Sequence, residues 1–169
     1  RVGLARTQAL IQNLKRELTM NGTRLVGEKV KVTSVTANTT LTAGDSGTIY
    51  VWADAAAVLT LPDSGDGDII GVNYTFISNF AGTGQEVICA DTTNEMFIGN
   101  LLGSDSGDDT TIGSWNAEVA DAYSSVEFTG ATEGELGSNF TVTCYAADRW
   151  LIKGVVLHDG SIANPFATS

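Results

Sequence analysis

Histidine, cysteine and proline are scarce in this chain: one His, two Cys and two Pro among 169 residues. No apolar run reaches the roughly 20 residues that a membrane-spanning helix needs. The N-terminal stretch lacks the charged, apolar and small-residue layout of a secretory signal, and it opens on Arg1 instead of Met, as expected of a trimmed, processed or internal start. The body is therefore expected to be soluble, with no membrane partner. Cys89 and Cys144 lie in β-like runs (Val87 to Ala90 and Val142 to Tyr145), where two buried thiols are expected and a disulfide is the alternative. Neither has a Cys or His neighbour in sequence to complete a metal site. Basic residues are few as well. Nine Lys and Arg against 20 Asp and Glu leave a net charge of -11, the wrong sign for nucleic acid as the body's partner.

What is plentiful is glycine, at 19 residues, together with Thr, Ser and a hydrophobic fraction of 43% that leans to Val, Ile, Leu and Ala. β-Branched residues fit a pleated surface and glycine relieves tight reversals, so this mixture reads as short strands joined by turns. The charge is divided along the chain. Residues 1–31 hold seven bases and two acids, a balance of +5, whereas residues 32–169 hold two bases and 18 acids, a balance of −16. Such a split implies two segments with different surroundings.

The first segment has helical spacing from about residue 3 to 20. Leu4, Ile11, Leu14 and Leu18 share one stripe, while Arg6, Lys15 and Arg16 fall elsewhere, and Asn21-Gly22 is a stop signal. A single helix of about five turns is marginal in water, so the stripe needs a partner: its own body, a copy of itself or another protein. Residues 1–22 are thus read as a basic helical anchoring arm and residues 23–169 as an acidic β-rich body. In the body, Lys29 to Val35 alternates polar and apolar, as a strand with one wet face does. Further strands are expected at Thr48 to Ala53, Ala57 to Leu61, Val72 to Ser78, Glu86 to Ala90, Ser125 to Thr129, Asn139 to Tyr145 and Trp150 to Leu157, with turns such as Asp45-Ser46-Gly47 and Asp63-Ser64-Gly65 between them. The expected fold is mainly β, an antiparallel β-sandwich or barrel, jelly-roll-like, preceded by a short N-terminal α-helix. Residues 99–121 read as a long exposed loop with a short strand at Thr110 to Trp115, and residues 159–169 as an extended tail.

Catalytic and metal chemistry finds little purchase. Gly44-Asp45-Ser46-Gly47 is similar to the nucleophile string of chymotrypsin-like proteases, but the histidine base of that family precedes its serine. His158 is far downstream and is expected to be a surface or loop residue. Asp63, Asp66 and Asp68 form one acidic cluster, and Asp105, Asp108 and Asp109 another. Both are weak calcium candidates without the full spacing of a calcium loop, so no metal and no cofactor is expected. Trp52 and Trp150 sit in strand runs and suit a core, whereas Trp115 is the candidate for an exposed contact.

Two stretches add a resemblance. Leu41-Thr42-Ala43-Gly44-Asp45-Ser46-Gly47-Thr48-Ile49-Tyr50-Val51, followed by Val58 to Pro62 and Tyr74 to Ile77, is one; Asp148 to Gly154 is the other. With the arm from Arg1 to Leu18 they resemble capsid decoration (cement) and head-fibre proteins of tailed, particularly marine, bacteriophages. The resemblance implies a virion structural protein and not an enzyme: a homotrimer on the outer capsid surface, with the major capsid protein as its partner. Arg1, Arg6, Lys15 and Arg16 would anchor by charge, and Leu4, Ile11, Leu14 and Leu18 by the apolar stripe. The alternative is a tail-fibre or receptor-binding module that recognises host glycans, with Trp115 at its tip. A hydrolase using acid pairs is a third class.

Overall fold

A computed structural model describes residues 30–53, 56–81, 84–107, 111–130, 134–160 and 162–169, with Gly3 and Gln8 besides. The chain divides into two compact units, Arg1–Val30 and Lys31–Ser169. The helix expected between residues 3 and 20 lies outside the described residues, apart from those two isolated positions.

The second unit is built of twelve described strands: β1 (Val32–Val35), β2 (Thr39–Thr40), β3 (Ile49–Trp52), β4 (Val58–Thr60), β5 (Asn73–Ser78), β6 (Gln85–Ile88), β7 (Met96–Asp105), β8 (Ile112–Ala117), β9 (Ser125–Phe128), β10 (Asn139–Ala146), β11 (Arg149–His158) and β12 (Phe166–Ala167). Seven form one sheet in the order β1-β3-β5-β10-β11-β7-β8, and five form another in the order β12-β9-β6-β4-β2. The first six strands alternate between the sheets. Each pair β1–β2, β3–β4 and β5–β6 makes one coil that visits both sheets, and successive coils pair in parallel in each. The antiparallel, jelly-roll-like pairing expected from sequence is therefore corrected to two mixed sheets. The physical reason is that sequence neighbours here sit in different sheets, so a strand pairs with the one two places on, running the same way. Antiparallel pairing enters with β5–β10, β10–β11, β7–β8, β6–β9 and β9–β12.

Corners of the coils are fixed by local polar chemistry. At the first, a 3-10 turn spans Ala43–Asp45, where the Asp45 carboxylate accepts the Thr42 hydroxyl at 2.8 Å and pairs with Lys31 Nζ at 2.9 Å. Those contacts, Lys31 first, hold the Asp45 carboxyl below the usual aspartate range. The next corner, at Asp63 to Gly65, is tied by Glu95, a fully buried carboxylate that accepts both the backbone N–H and the hydroxyl of Ser64 and also the N–H of Asp91. Burying polar oxygens is costly unless donors converge on them, and three do so here.

One apolar core serves both sheets. The alternating burial of β3 and β5 sends Tyr50, Trp52, Tyr74 and Phe76 inward, and β10 adds Phe140, Val142 and Cys144. Trp52 meets Phe76 at 5.8 Å between ring centroids and reaches Phe128 of the other sheet at 6.0 Å. The Trp52 indole N–H donates to Ala57 O at 3.0 Å, so this large ring is buried with its polar atom satisfied. The five-stranded sheet supplies mainly aliphatic groups, Leu59, Val87 and Val126 among them.

Residues 99–121, expected as a long exposed loop, instead include most of β7 and all of β8, an antiparallel pair on the edge of the larger sheet. Gly99 marks why the pattern is hard to read. It has φ +133°, and a Cβ there would lie 2.1 Å from the Ile152 carbonyl oxygen, so a glycine interrupts the apolar alternation where β7 presses on β11.

Candidate functional site

The anchoring residues expected in the arm (Arg1, Leu4, Arg6, Ile11, Leu14, Lys15, Arg16 and Leu18) all lie outside the described residues, as do Asp108 and Asp109. The other acidic positions are turn chemistry. Asp63 accepts the N–H of Gly65 at 2.9 Å, while Asp66 and Asp68 are exposed on the same turn. Asp105 is buried and accepts the N–H groups of Gly107 at 2.8 Å and Gly160 at 3.3 Å. Among the described residues no three His, Cys, Asp or Glu side chains are grouped so as to hold a metal ion.

Trp115 lies on β8 and is half-buried, turned to the inner side of the sheet and packed against the core. Its ring occupies the space that glycine leaves at position 103, where a Cβ would stand 2.3 Å from the indole. His158 lies beside it, with ring centroids 5.1 Å apart. His158 itself is fully buried at the end of β11, which corrects the expectation of a surface or loop histidine. The strand's alternation accounts for this: Trp150, Ile152 and Val156 face inward, and position 158 continues the series. Cys89 and Cys144 are both buried and free, and burial pushes both thiols up from their ordinary values.

What remains is the pair of outer sheet faces, and they differ. On the five-stranded sheet Glu86 of β6 stands directly opposite Glu127 of β9. They line a shallow depression of about 230 Å³ with Gly84, Gln85 and Thr129. The Glu127 carboxylate accepts the Ser125 hydroxyl at 3.0 Å, and Glu86 accepts that of Ser169 at 3.4 Å. Partial burial, then the neighbouring Glu127, pushes the Glu86 carboxyl above the usual range. Like charges directly opposite on a sheet are destabilising, which makes this the one electrostatically loaded spot among the described strand positions. The alternation Gln85-Glu86-Val87-Ile88 against Val126-Glu127-Phe128 places both acids outward, but which strands pair is not legible in it.

The seven-stranded sheet presents the opposite character. Its outward positions follow the register in rows, one of which runs Val51, Ile77, Asn139, Val155, Leu102. Leu102 is 46% exposed and Val155 38%. No carboxylate stands at any outward position of these seven strands: Asp105, the one acid they contain, is buried. The only charged side chains there are Lys153 and Arg149, the two bases of residues 32–169, and both belong to β11. Arg149 is engaged locally, donating to the carbonyls of Asp148 at 2.8 Å and Asn94 at 3.3 Å. Sequence reasoning missed this face, because its neutrality comes from bringing together strands far apart in the chain.

No protein-family model matches the chain, and neither a curated protein nor a solved structure does.

Proposed function

We propose that the chain is a virion structural protein that decorates or stabilises the outer surface of a phage capsid, with its N-terminal arm docked on the major capsid protein and its β-body, a β-sandwich, projecting outward. The observation that carries this reading is the division of charge, +5 over residues 1–31 and −16 over residues 32–169. A basic segment suits an acidic docking surface, and an acidic body stays dispersed and repels neighbours it should not join. The body's buried polar groups support a scaffolding role over catalysis. Glu95, Ser64, Ser138 and Asp105 are spent on tying loops to the sheets. The glycan-binding alternative drew on an exposed Trp115, and the half-buried setting of that ring favours the capsid reading.

The test is binding of full-length and truncated protein to capsids assembled from the major capsid protein of the same genome. Deletion of residues 1–20 is expected to abolish binding and leave the body folded by circular dichroism. Normal occupancy by the truncated protein would sink the reading, and glycan-array binding weakened by Trp115→Ala would favour the receptor-binding one.

A further inference from the structure

We infer that the outer face of the seven-stranded sheet is where a second copy of this chain packs, the same face of each copy meeting across the row that contains Val51, Ile77, Val155 and Leu102.

The argument begins with electrostatics. Residues 32–169, at −16, meet their own copy as like against like, so contact made through the acidic turns or through the Glu86–Glu127 face brings carboxylates together. A different partner imposes no such limit, because it can offset acids with bases of its own. Beyond Arg149 and Lys153, a second copy has only the bases of its residues 1–31 to offset acids with, so body-to-body contact favours a face cleared of the chain's dominant charge, and among the described residues this sheet provides one. Its outward positions hold apolar groups, Thr, Ser and Asn, with no carboxylate. Lys153 is flanked by Thr141 and Asn100 in the register, and its four-carbon stem can carry the ammonium to the rim while the stem packs.

The apolar groups meet in cross-strand pairs, with Asn139 between two of them. Val32 and Ile49 pair across β1 and β3, Val51 and Ile77 across β3 and β5, and Val155 and Leu102 across β11 and β7. Six inter-strand spacings of about 4.8 Å make the face roughly 29 Å wide, and strands of about six residues make it roughly 20 Å tall. That is on the order of 600 Å² per copy, which reaches the lower bound of specific interfaces at about 1,200 Å² in total. Val32, Leu102, Leu151 and Val155 on this face are exposed apolar groups, of the kind that mark contact surfaces where they cluster.

This inference does not rest on the virion reading, since it concerns how copies meet and not where the arm docks, and its same-face pairing is two-fold where the resemblance implies a homotrimer. Its test is the mass of the full chain by sedimentation over a wide concentration range. The wild type is expected to self-associate. Leu102→Asp and Val155→Asp, each at an exposed position, are expected to reduce it to the mass of a single chain at concentrations where the wild type is assembled. Ile70→Asp and Leu136→Asp, at exposed apolar positions in loops outside the strands of this face, are expected to leave the mass unchanged. The β-compatible double variant Leu102→Thr with Val155→Thr guards against misfolding. It should weaken association at least tenfold and keep the wild-type melting temperature. A wild type that is monomeric throughout overturns the inference, as does an assembly that the face variants leave intact or that the control variants dissociate equally. Capsid binding lost on arm deletion, with self-association retained, would separate the two proposals.

Discussion

The two sheets share a core but differ in what they bring to it and in what they turn outward. The larger sheet lines its inner side with rings (Tyr50, Trp52, Tyr74, Phe76, Phe140 and Trp150) and clears its outer side of acid. The smaller lines its inner side with Leu59, Val87 and Val126 and only two rings, Phe128 and Phe166, and keeps the Glu86–Glu127 pair outside. Aromatic rings bury large areas and hold each other by edge and offset contacts, so the larger sheet carries the greater share of the packing energy. What the difference teaches is that one chain can separate cohesion from repulsion by sheet, even though its strands alternate between the two.

The largest effect would come from breaking the link between the sheets. Trp52→Ala should cost about 3–5 kcal/mol in chemical denaturation, and Phe128→Ala a similar amount. If the sheets depend on one core, the double variant will be less destabilised than the sum by about 0.5–3 kcal/mol; strict additivity would mean two independent halves.

Thiol chemistry sharpens the comparison next. Cys144 belongs to the larger sheet and Cys89 follows β6 of the smaller, and burial suppresses the thiolate of each. Both are expected to resist a disulfide reagent in the native protein and to react together, at the rate of global unfolding. Early reaction of Cys89 alone would show that the smaller sheet opens by itself.

Smallest is the effect of pH on the outer acids. Glu86 binds its proton more tightly in the folded chain than in the unfolded one, so stability falls as pH rises through and above its ordinary value of 4.5. Asp45 is the converse: its stabilising ionisation is present above 3.8 and is lost as pH falls below that value. Glu86→Gln should therefore raise the melting temperature at pH 7 slightly and flatten its decline above pH 4.5. A lower melting temperature would mean that the carboxylate pair holds the sheet together.

Much of the strand content was legible from alternation. Residues 49–52, 73–78, 125–128 and 139–146 fall within a residue or so of the expected runs, because one wet and one buried face impose a period of two. Pairing was not legible. Leu41 and Leu61 occupy equivalent corners of successive coils, donating their N–H groups to Thr60 and Ile88, and both precede an Asp-Ser-Gly turn or its near equivalent. That echo was visible, but the coils differ in length, so it did not present itself as a repeat. β7 escaped because Gly99, Asn100 and Gly103 interrupt its apolar pattern; the reason for Gly99 lies in Ile152 of β11, far away in sequence, and that for Gly103 in the Trp115 ring of the next strand. The neutral face escaped for the same cause, since each of its rows is assembled from distant strands.

The β10–β11 hairpin carries a consequence for how the chain finds its structure. Its strands are joined at Ala147-Asp148, with Asp148 at φ 57°, and they occupy the middle of the larger sheet. Parallel rungs such as β3–β5 and β7–β11 must close long loops before any bond rewards them, whereas this hairpin closes within a few residues. The edge pair β7–β8 is also joined by a short link, but β10–β11 lies in the middle of the sheet and is expected to form early as the template that receives β5 on one side and β7 on the other. Every wound coil, from β1 to β6, precedes this hairpin in the chain, so the coils wait on a template made after them.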